Sequence, residues 1–206
     1  MRQFGIGRIA ASVRDWIGAA AAREPVAAPA SPAVLEPASY AAAETLRDGR
    51  ALDIRAFRPG DKAELEAAVG GVSTQTLYRR FFTVKRHFSE REREFFLNVD
   101  FVDQVALMAW AEEAGRKVIA GGGRYVVVAP GKAEVAFMVV DRYQGQGIGA
   151  ALLRHLAAVA RAAGLHELMA EVLPENKPML KVFAKSGLPM TTINQHEVVQ
   201  VSLKLG

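Results

Sequence analysis

The sequence of 206 residues contains no cysteine, and this absence excludes several chemistries. A chain without cysteine forms no disulfide, binds no metal through thiolates and forms no cysteine acyl-enzyme. Long apolar runs are also missing, so no segment meets the length of roughly 20 apolar residues that a membrane-spanning helix needs. Half of the residues are nevertheless apolar. We therefore expect one domain of ordinary size with a sizeable core, plus a tail.

A strong excess of either charge is missing, since the formal net charge is only +4. A mildly basic protein suits an anionic ligand with several phosphates. The excess is too small and too scattered to indicate nucleic-acid binding. We also expect no metal ion, because the spacing of the histidines does not match a metal-ligand motif; these residues are His87, His155, His166 and His196.

The N-terminal segment, residues 1–45, differs in composition from the rest, and lysine is absent from residues 1–43. Apolar residues at helical spacing predict a short amphipathic helix over Gly5 to Ala22. The alanine- and proline-rich run from Glu24 to Pro37 is typical of a linker. The helix is open to several interpretations: a surface that contacts a membrane or a partner, a transit peptide, or a poorly ordered tail. We divide the chain into this segment and a domain over residues 46–206.

Hydrophobic periodicity and turn residues predict an alternation of strands and helices within the domain. The predicted strands are Leu52–Phe57, Gln104–Ala111, Val118–Val128, Glu134–Val140, Glu167–Leu173, Met190–Ile193 and Val198–Leu205. The predicted helices begin at Asp61 (with Glu64 in a capping box), Ser73, Ser89, Ile148 and Asn176. Three glycines inside one strand, Gly121 to Gly123, predict a bulge or a close approach of backbone.

The segment Gln144 to Gly149 contains three glycines between a strand and a strong helix. The first N–H groups of a helix lack partners inside it, and glycines let a ligand approach the backbone closely. Together with the helix dipole, these N–H groups form a site for a pyrophosphate. The predicted contacts are Gln144, Gly145, Gln146, Gly147, Ile148, Gly149 and Ala150. The alternative is a structural turn that binds nothing.

A dinucleotide-binding Rossmann fold is the competing interpretation, because Gly145 to Ala150 formally fits its glycine fingerprint. Two observations argue against it. Four residues separate Val140 from the first glycine, whereas the Rossmann strand leads directly into that glycine. The chain after Ala150 is also too short for the remainder of a doubly wound domain.

The pattern Gln144-x-x-Gly147-x-Gly149 resembles the acyl-CoA loop of the GNAT superfamily of N-acetyltransferases. The segments Glu175–Met179 and Phe183–Leu188 resemble the family's next conserved stretch. Upstream, Leu52–Asp61 and Ser73–Phe82 are similar to the branch of bacterial protein-lysine acetyltransferases and of acetyltransferase domains fused to acyl-CoA synthetase-like proteins.

The resemblance implies an α/β (α+β) GNAT fold. This fold has a mixed central sheet of about six to seven strands, splayed between the fourth and fifth strands, with helices on its flanks. It also implies a bacterial, cytoplasmic enzyme that uses acetyl-CoA as co-substrate. The strand end Val139, Val140 and Asp141 would contact the pantetheine arm, and Asn176 would lie near the cofactor. The sequence leaves the oligomeric state and the acyl chain length open.

Glu134 is the candidate general base. It is the acid on the strand face that Ala136, Met138 and Val140 share, and the resembling branch has a catalytic glutamate at this position. The alternative is a strand-end charge that pairs with Lys132. The helix after Asn176 has Phe183 where many GNAT enzymes place a tyrosine acid. We therefore predict acetyl transfer to a primary amine, a protein lysine side chain. An acyl-CoA-binding regulatory module and a small-molecule amine acetyltransferase are the alternatives.

Overall fold

The computed structural model describes residues 35–85, 87–195 and 197–206. The predicted N-terminal helix and most of the predicted linker lie outside these residues. The described chain forms one eight-stranded sheet in the order β1-β2-β3-β4-β5-β6-β8-β7. Its strands are β1 (Ala41–Thr45), β2 (Ala51–Ala56), β3 (Gln104–Glu113), β4 (Arg116–Ala129), β5 (Lys132–Val139), β6 (Glu167–Val172), β7 (Met190–Gln195) and β8 (Val198–Lys204).

Helices cover both faces of this sheet. They are α1 (Lys62–Gly70), α2 (Thr74–Phe81), α3 (Glu90–Leu97), α4 (Ile148–Ala162) and α5 (Lys177–Ala184). Successive residues of a strand point to opposite faces. A Cβ on Gly123 would meet Leu156 of α4, whereas a Cβ on Gly122 would meet Met108, on the face where α1 and α3 lie. The longest helix, α4, is apolar on the side that packs against the sheet. None of the described helices is both long and apolar enough to cross a membrane.

The sheet opens between β5 and β6, as the resemblance implied. These two strands are joined through α4 and run parallel, whereas every other neighbouring pair is antiparallel. Their pairing covers only Lys132–Glu134 against Glu167–Met169. Beyond Glu134 the remaining residues of β5 pair with β4 alone. The mixed, splayed sheet agrees with the fold that the resemblance implied, with eight strands instead of the six to seven expected.

The additional strand is β1, which lies N-terminal to the predicted domain boundary at residue 46. It pairs with β2 in register from Ala41↔Arg55 to Thr45↔Ala51. Glu44 on β1 also forms an ion pair with Arg154 of α4 at 2.6 Å. The strand was missed because its sequence, AAAET, has neither large β-branched residues nor alternation of apolar and polar side chains.

Four of the five predicted helix starts are confirmed, and the fifth, at Asp61, is wrong in the detail of its capping box. Ser89 and Glu92 form the capping box of α3, and Ser73 caps α2 by accepting a hydrogen bond from the Thr76 N–H. Asp61 does not form the predicted box with Glu64. Its carboxylate instead accepts hydrogen bonds from the Arg55 guanidinium at 2.7 and 2.8 Å. A charge-assisted hydrogen bond to a guanidinium is stronger than a hydrogen bond to a neutral N–H group, so the carboxylate binds the guanidinium.

The glycines of β4 mark both a bulge and a close approach, as predicted. The register with β3 shifts between Ala109 and Trp110, opposite Gly121. A Cβ on Gly123 would lie 2.8 Å from both Leu156 Cδ1 and Phe137 Cδ1. Helix α4 therefore packs on this strand at a distance that a side chain would prevent.

Replacing Gly123 with alanine should lower the free energy of unfolding by about 1–3 kcal/mol, because the methyl group overpacks the contact between α4 and β4. Urea unfolding measures the change. Gly70→Ala is the matched control: a Cβ there has no neighbour within 4 Å. Within a helix that substitution should raise stability by up to about 1 kcal/mol. An equal effect of the two variants would contradict the close approach.

Candidate active site

The glycine loop follows β5 through a short 3₁₀ turn, Asp141–Tyr143. Gly145 and Gly147 have φ angles of 77° and 101°, a left-handed conformation that favours glycine. The first hydrogen bond of α4 runs from the Ala151 N–H to the Gly147 carbonyl. The N–H groups of the three preceding residues thus belong to the open start of the helix. The loop has the geometry predicted for an anion site.

A cleft of about 380 Å³ lies beside this loop. Its walls are the loop, the parts of β5 and β6 that diverge, and α5. Eight of the predicted cofactor-binding residues line it: Val139, Gln144, Gly145, Gly147, Ile148, Gly149, Ala150 and Asn176. Asn176 also caps α5, because its side chain accepts a hydrogen bond from the Met179 N–H. The capping role and a place in the cleft are therefore compatible.

The other three predicted cofactor residues are not among those that line the cleft. The Asp141 carboxylate accepts hydrogen bonds from the Ser73 N–H at 2.7 Å and from the Thr76 hydroxyl at 2.8 Å. Asp141 thus fixes the start of α2. The Gln146 amide donates to the Arg142 carbonyl at 2.9 Å and accepts from Arg50. Val140 lines a second cavity on the opposite face of the sheet.

The edge of β5 that faces the cleft is open for main-chain hydrogen bonds. The Val140 N–H donates to the Ala120 carbonyl on β4 at 2.9 Å. Because hydrogen-bonding direction alternates along an antiparallel strand, Phe137 and Val139 direct their main-chain groups away from β4. The Val139 carbonyl accepts a hydrogen bond from the Gln144 side chain at 3.0 Å. An extended ligand with amide groups can pair with this edge as an added strand.

Basic side chains surround the mouth of the cleft. Arg47, Arg79, Lys181 and Lys185 all line it, and Glu171 is the acid among the lining residues. The Arg47 side chain comes from the turn between β1 and β2, with its Nε 3.9 Å from the position of a Cβ on Gly147. The sequence did not indicate Arg47, because its place beside the loop depends on the unrecognised strand β1. The excess of positive charge suits a ligand with several phosphates.

The second cavity, of about 430 Å³, lies under α1, α2 and α3. Arg80, Ala136 and Met138 line both this cavity and the cleft. The two spaces therefore meet at the middle of β5. We name the second one the acceptor-side cavity.

Glu134 lies two residues before this meeting point. It is half-buried, on the same strand face as Ala136 and Met138, and it is not among the described residues that line either space. Burial lowers the pKa of the Arg80 guanidinium to about 10, and the negative charge of Glu134 opposes that shift. The carboxylate and the guanidinium are therefore close enough to attract each other. Lys132, the partner in the alternative interpretation, forms an ion pair with Glu167 at 3.1 Å.

Arg124 of β4 is a buried arginine with a structural role. Its guanidinium donates to the carbonyls of Phe95 at 3.0 Å and Phe96 at 2.7 Å, and to the Gln104 side chain at 2.7 Å. Burial, together with the charge of Arg80, lowers the pKa of Arg124 to about 9. These contacts hold the end of α3 against the sheet, and they shape the acceptor-side cavity that Arg124 lines.

The tyrosine absent from α5 is not replaced from elsewhere in the cleft. Phe183 is buried against Phe137, with ring centroids 6.1 Å apart. Tyr143 is the tyrosine among the described lining residues, and its hydroxyl donates to the Glu113 carboxylate. Burial and that carboxylate raise the pKa of Tyr143. The Tyr143 hydroxyl therefore has a partner and supports the loop.

Glu167 stabilises the end of the sheet where β5 and β6 still pair with each other. Its carboxylate binds Lys204 Nζ at 2.8 Å and Lys132 Nζ at 3.1 Å, which links β6 to β8 and to β5. Hydrogen bonds from Lys204, Ser202 and Lys132 lower the pKa of Glu167 from 4.5 to about 2.

A carboxylate whose pKa is lowered by folding stabilises the native state above its unfolded pKa. Glu167→Gln should therefore lower the free energy of unfolding by about 1–3 kcal/mol at pH 7. The difference from the wild type should fade as the pH falls from 4.5 towards 2. Urea titrations at several pH values measure it. Glu64→Gln, at an exposed helix position, is the matched control, and an effect of Glu167→Gln that is as large at pH 2.5 as at pH 7 would contradict the assignment.

Comparison with known proteins identifies the family. The model of the acetyltransferase (GNAT) family matches residues 72–188, more than half of the chain. The chain belongs to the GNAT family of acetyltransferases. This confirms the resemblance that Gln144, Gly147 and Gly149 indicated, and it makes the chain an acyl-CoA-dependent N-acetyltransferase.

Curated relatives include an acetyltransferase from Pseudomonas aeruginosa, 30% identical over 137 residues that cover 66% of this chain and 74% of that protein. The acetyltransferase Pat of Mycolicibacterium smegmatis is 35% identical over 147 residues, which cover 69% of this chain and 42% of Pat. Among solved structures, the GNAT domain of S. lividans PAT superposes with a TM-score of 0.72 at 35% identity, covering 80% of this chain and 96% of that one. These relatives support the predicted bacterial branch of the GNAT family.

Proposed function

We propose that this GNAT enzyme transfers an acetyl group from acetyl-CoA to the ε-amino group of a protein lysine, with Glu134 as general base. The observation that supports it best is the meeting of two spaces at β5. The cleft with the glycine loop lies on one side, the acceptor-side cavity on the other, and Glu134 lies beside the junction. Direct transfer requires this arrangement, because both substrates must be present together.

The residues of the cleft fit the proposed donor. The N–H groups at the start of α4 and the basic side chains at the mouth would hold the phosphates. The open edge of β5 at Phe137 and Val139 would pair with the amides of the pantetheine arm. When bound, acetyl-CoA supplies an acetyl group already activated as a thioester.

Glu134 would act on the acceptor. A lysine with a pKa near 10.4 is neutral in roughly one molecule in a few thousand at pH 7. The Glu134 carboxylate would accept the ammonium proton, directly or through water, so that the amine nitrogen can attack. The carbon–sulfur bond then breaks, and the CoA thiolate leaves without a tyrosine acid. The thiolate is a tolerable leaving group, so solvent would supply its proton.

The protein-lysine acceptor and the cytoplasmic location rest on the resemblance to the bacterial branch. A small-molecule amine is the second candidate, and the size of the acceptor-side cavity favours it. At about 430 Å³ that space falls in the range of small-molecule sites.

Mass spectrometry of lysine-containing peptides incubated with deuterated acetyl-CoA tests the proposal. We expect enzyme-dependent addition of the labelled acetyl group to lysine side chains, with release of free CoA. Acetylation of small amines alone would favour the second candidate. Binding of acetyl-CoA without transfer to any amine would favour a regulatory module instead.

A further inference from the structure

Arg80 carries a buried hydrogen-bond donor at the junction of the two spaces. Its Nη1 atom is buried and has no hydrogen-bond partner among the described residues. A buried donor without a partner costs about 1–3 kcal/mol. Such a group calls for an explanation, and one explanation is that a ligand provides the missing acceptor. Arg80 lines both the cleft and the acceptor-side cavity.

The charges around the acceptor-side cavity are mostly positive. Four of its lining side chains carry or can carry positive charge, and one is an acid: Arg80, Arg93, Arg124 and His87 against Glu66. Arg124 already binds three acceptors. Arg93 is exposed, so water screens its charge. Arg80 is therefore the cavity-lining arginine whose guanidinium has a buried Nη1 donor without a hydrogen-bond partner among the described residues.

A purely cationic acceptor fits this cavity poorly. An ammonium near Arg80 is repelled, and the negative charge of Glu134, which acts on Arg80, offsets part of that repulsion. An acceptor with a carboxylate brings its own compensating charge. The carboxylate can accept from the Arg80 guanidinium while the ammonium lies towards Glu134, and each charge meets its opposite.

We propose that the acceptor presents a carboxylate beside its amine, and that Arg80 binds this carboxylate. The inference rests on the proposed amine acetyltransferase function and specifies its acceptor. The carboxylate has two sources: the acceptor's own carboxyl group in a small amino acid, or an acidic residue next to the acceptor lysine in a protein. Arg80 is then a specificity-determining residue that favours anionic over neutral acceptors.

Matched acceptors separate the two sources. Pentylamine has an amine and no carboxylate. 6-Aminohexanoate adds a carboxylate at the far end of the same chain, and norleucine adds one on the carbon that carries the amine. The peptides acetyl-Lys-Asp-amide and acetyl-Lys-Asn-amide differ only in the neighbouring charge. The measurement is kcat/KM for each acceptor at saturating acetyl-CoA, with wild type, Arg80→Gln, Arg80→Lys and Arg91→Gln. Arg91 is an exposed arginine of α3 outside both spaces.

In the wild type we expect a preference of about tenfold to a hundredfold for the carboxylate-bearing member of one pair, the size of a charge-assisted contact. Arg80→Gln should abolish that preference, mainly through KM, Arg80→Lys should restore part of it, and Arg91→Gln should keep it. Preference within the small-amine set identifies an amino acid, and preference within the peptide set identifies an acidic neighbour.

Two results would overturn the inference. Equal kcat/KM for both members of every pair would show that the acceptor carboxylate is not recognised. A fall in kcat that is the same for all acceptors in Arg80→Gln would place Arg80 at the thioester instead. If the wild type acetylates none of these amines, the proposed function itself fails, and that result is distinct from both.

Discussion

Glu134→Gln should lower kcat/KM for amine acetylation by about 10²–10⁴-fold at pH 7, the range for loss of a general base. Glutamine has nearly the same shape as glutamate but cannot accept a proton at neutral pH. The acceptor then reacts only through its small neutral fraction. Steady-state release of CoA measures the effect.

The pH dependence of this loss provides a second, independent test. As the pH approaches the acceptor's own pKa, near 10.4 for lysine, more of the amine is neutral without any base. The ratio of wild-type to variant rate should therefore shrink as the pH rises. A purely structural effect of the substitution would leave that ratio unchanged across the pH range.

The affinity for acetyl-CoA should not fall with the reaction rate in Glu134→Gln. Glu134 is not among the residues that line the cleft, so the Kd for acetyl-CoA in Glu134→Gln should stay within about twofold of the wild type. Glu112→Gln, at an exposed strand position, is the matched control and should keep full activity. Retention of more than half the wild-type rate in Glu134→Gln would exclude Glu134 as the base.

Much of the fold could be predicted because the local sequence carries strong information. The alternation of apolar residues identified β2 to β6, and serine caps located α2 and α3. The glycine loop pointed to the family, since Gln144, Gly147 and Gly149 match the spacing of its acyl-CoA loop. These features depend on residues close together in the sequence.

What the sequence did not show depends on distant contacts. β1 is an alanine-rich edge strand that is held by its pairing with β2 and by the ion pair of Glu44 with α4. Arg47 lies beside the loop because β1 and β2 carry it there. The same holds for Asp141, predicted near the cofactor but engaged with α2 through Ser73 and Thr76. A short polar side chain after a strand does not indicate which element will provide its hydrogen-bond partner.

Arg80 and Arg124 illustrate the limit most clearly. In the sequence both are ordinary arginines, one on a predicted helix and one within a predicted strand. Burial separates their roles: Arg124 is saturated by carbonyls at the end of α3, whereas Arg80 retains a buried donor. Only the three-dimensional packing distinguishes a structural guanidinium from one that is open to a ligand.

Gly149→Asp should raise the Kd for acetyl-CoA at least about a hundredfold without loss of stability. Gly149 lies in the first turn of α4 and lines the cleft. A Cβ there would lie 3.8 Å from Val182 Cγ2, an ordinary contact, and the backbone has no left-handed strain. Two like charges 4 Å apart repel by about 4 kcal/mol at an effective dielectric constant near 20, roughly a thousandfold in affinity. The carboxylate would lie where the phosphates are expected.

Gly149→Asp should keep or gain stability although it loses affinity for acetyl-CoA. An aspartate in the first turn of a helix interacts favourably with the helix dipole, by about 0.3–1 kcal/mol. Replacing glycine within the helix adds a further gain. The Tm of ligand-free Gly149→Asp should therefore equal or exceed that of the wild type. Gly149→Ala adds the Cβ without the charge and is the matched control, with binding close to that of the wild type.

Isothermal titration calorimetry and thermal melts of the three proteins decide the question together. Loss of binding in Gly149→Asp, with Gly149→Ala intact and both folded, would show that negative charge at the start of α4 excludes the ligand. Equal loss in both variants would indicate that the backbone needs the bare glycine for close approach. Tight binding to Gly149→Asp would contradict a phosphate site at the start of α4. It would also contradict the proposal that the two substrates lie on opposite sides of β5.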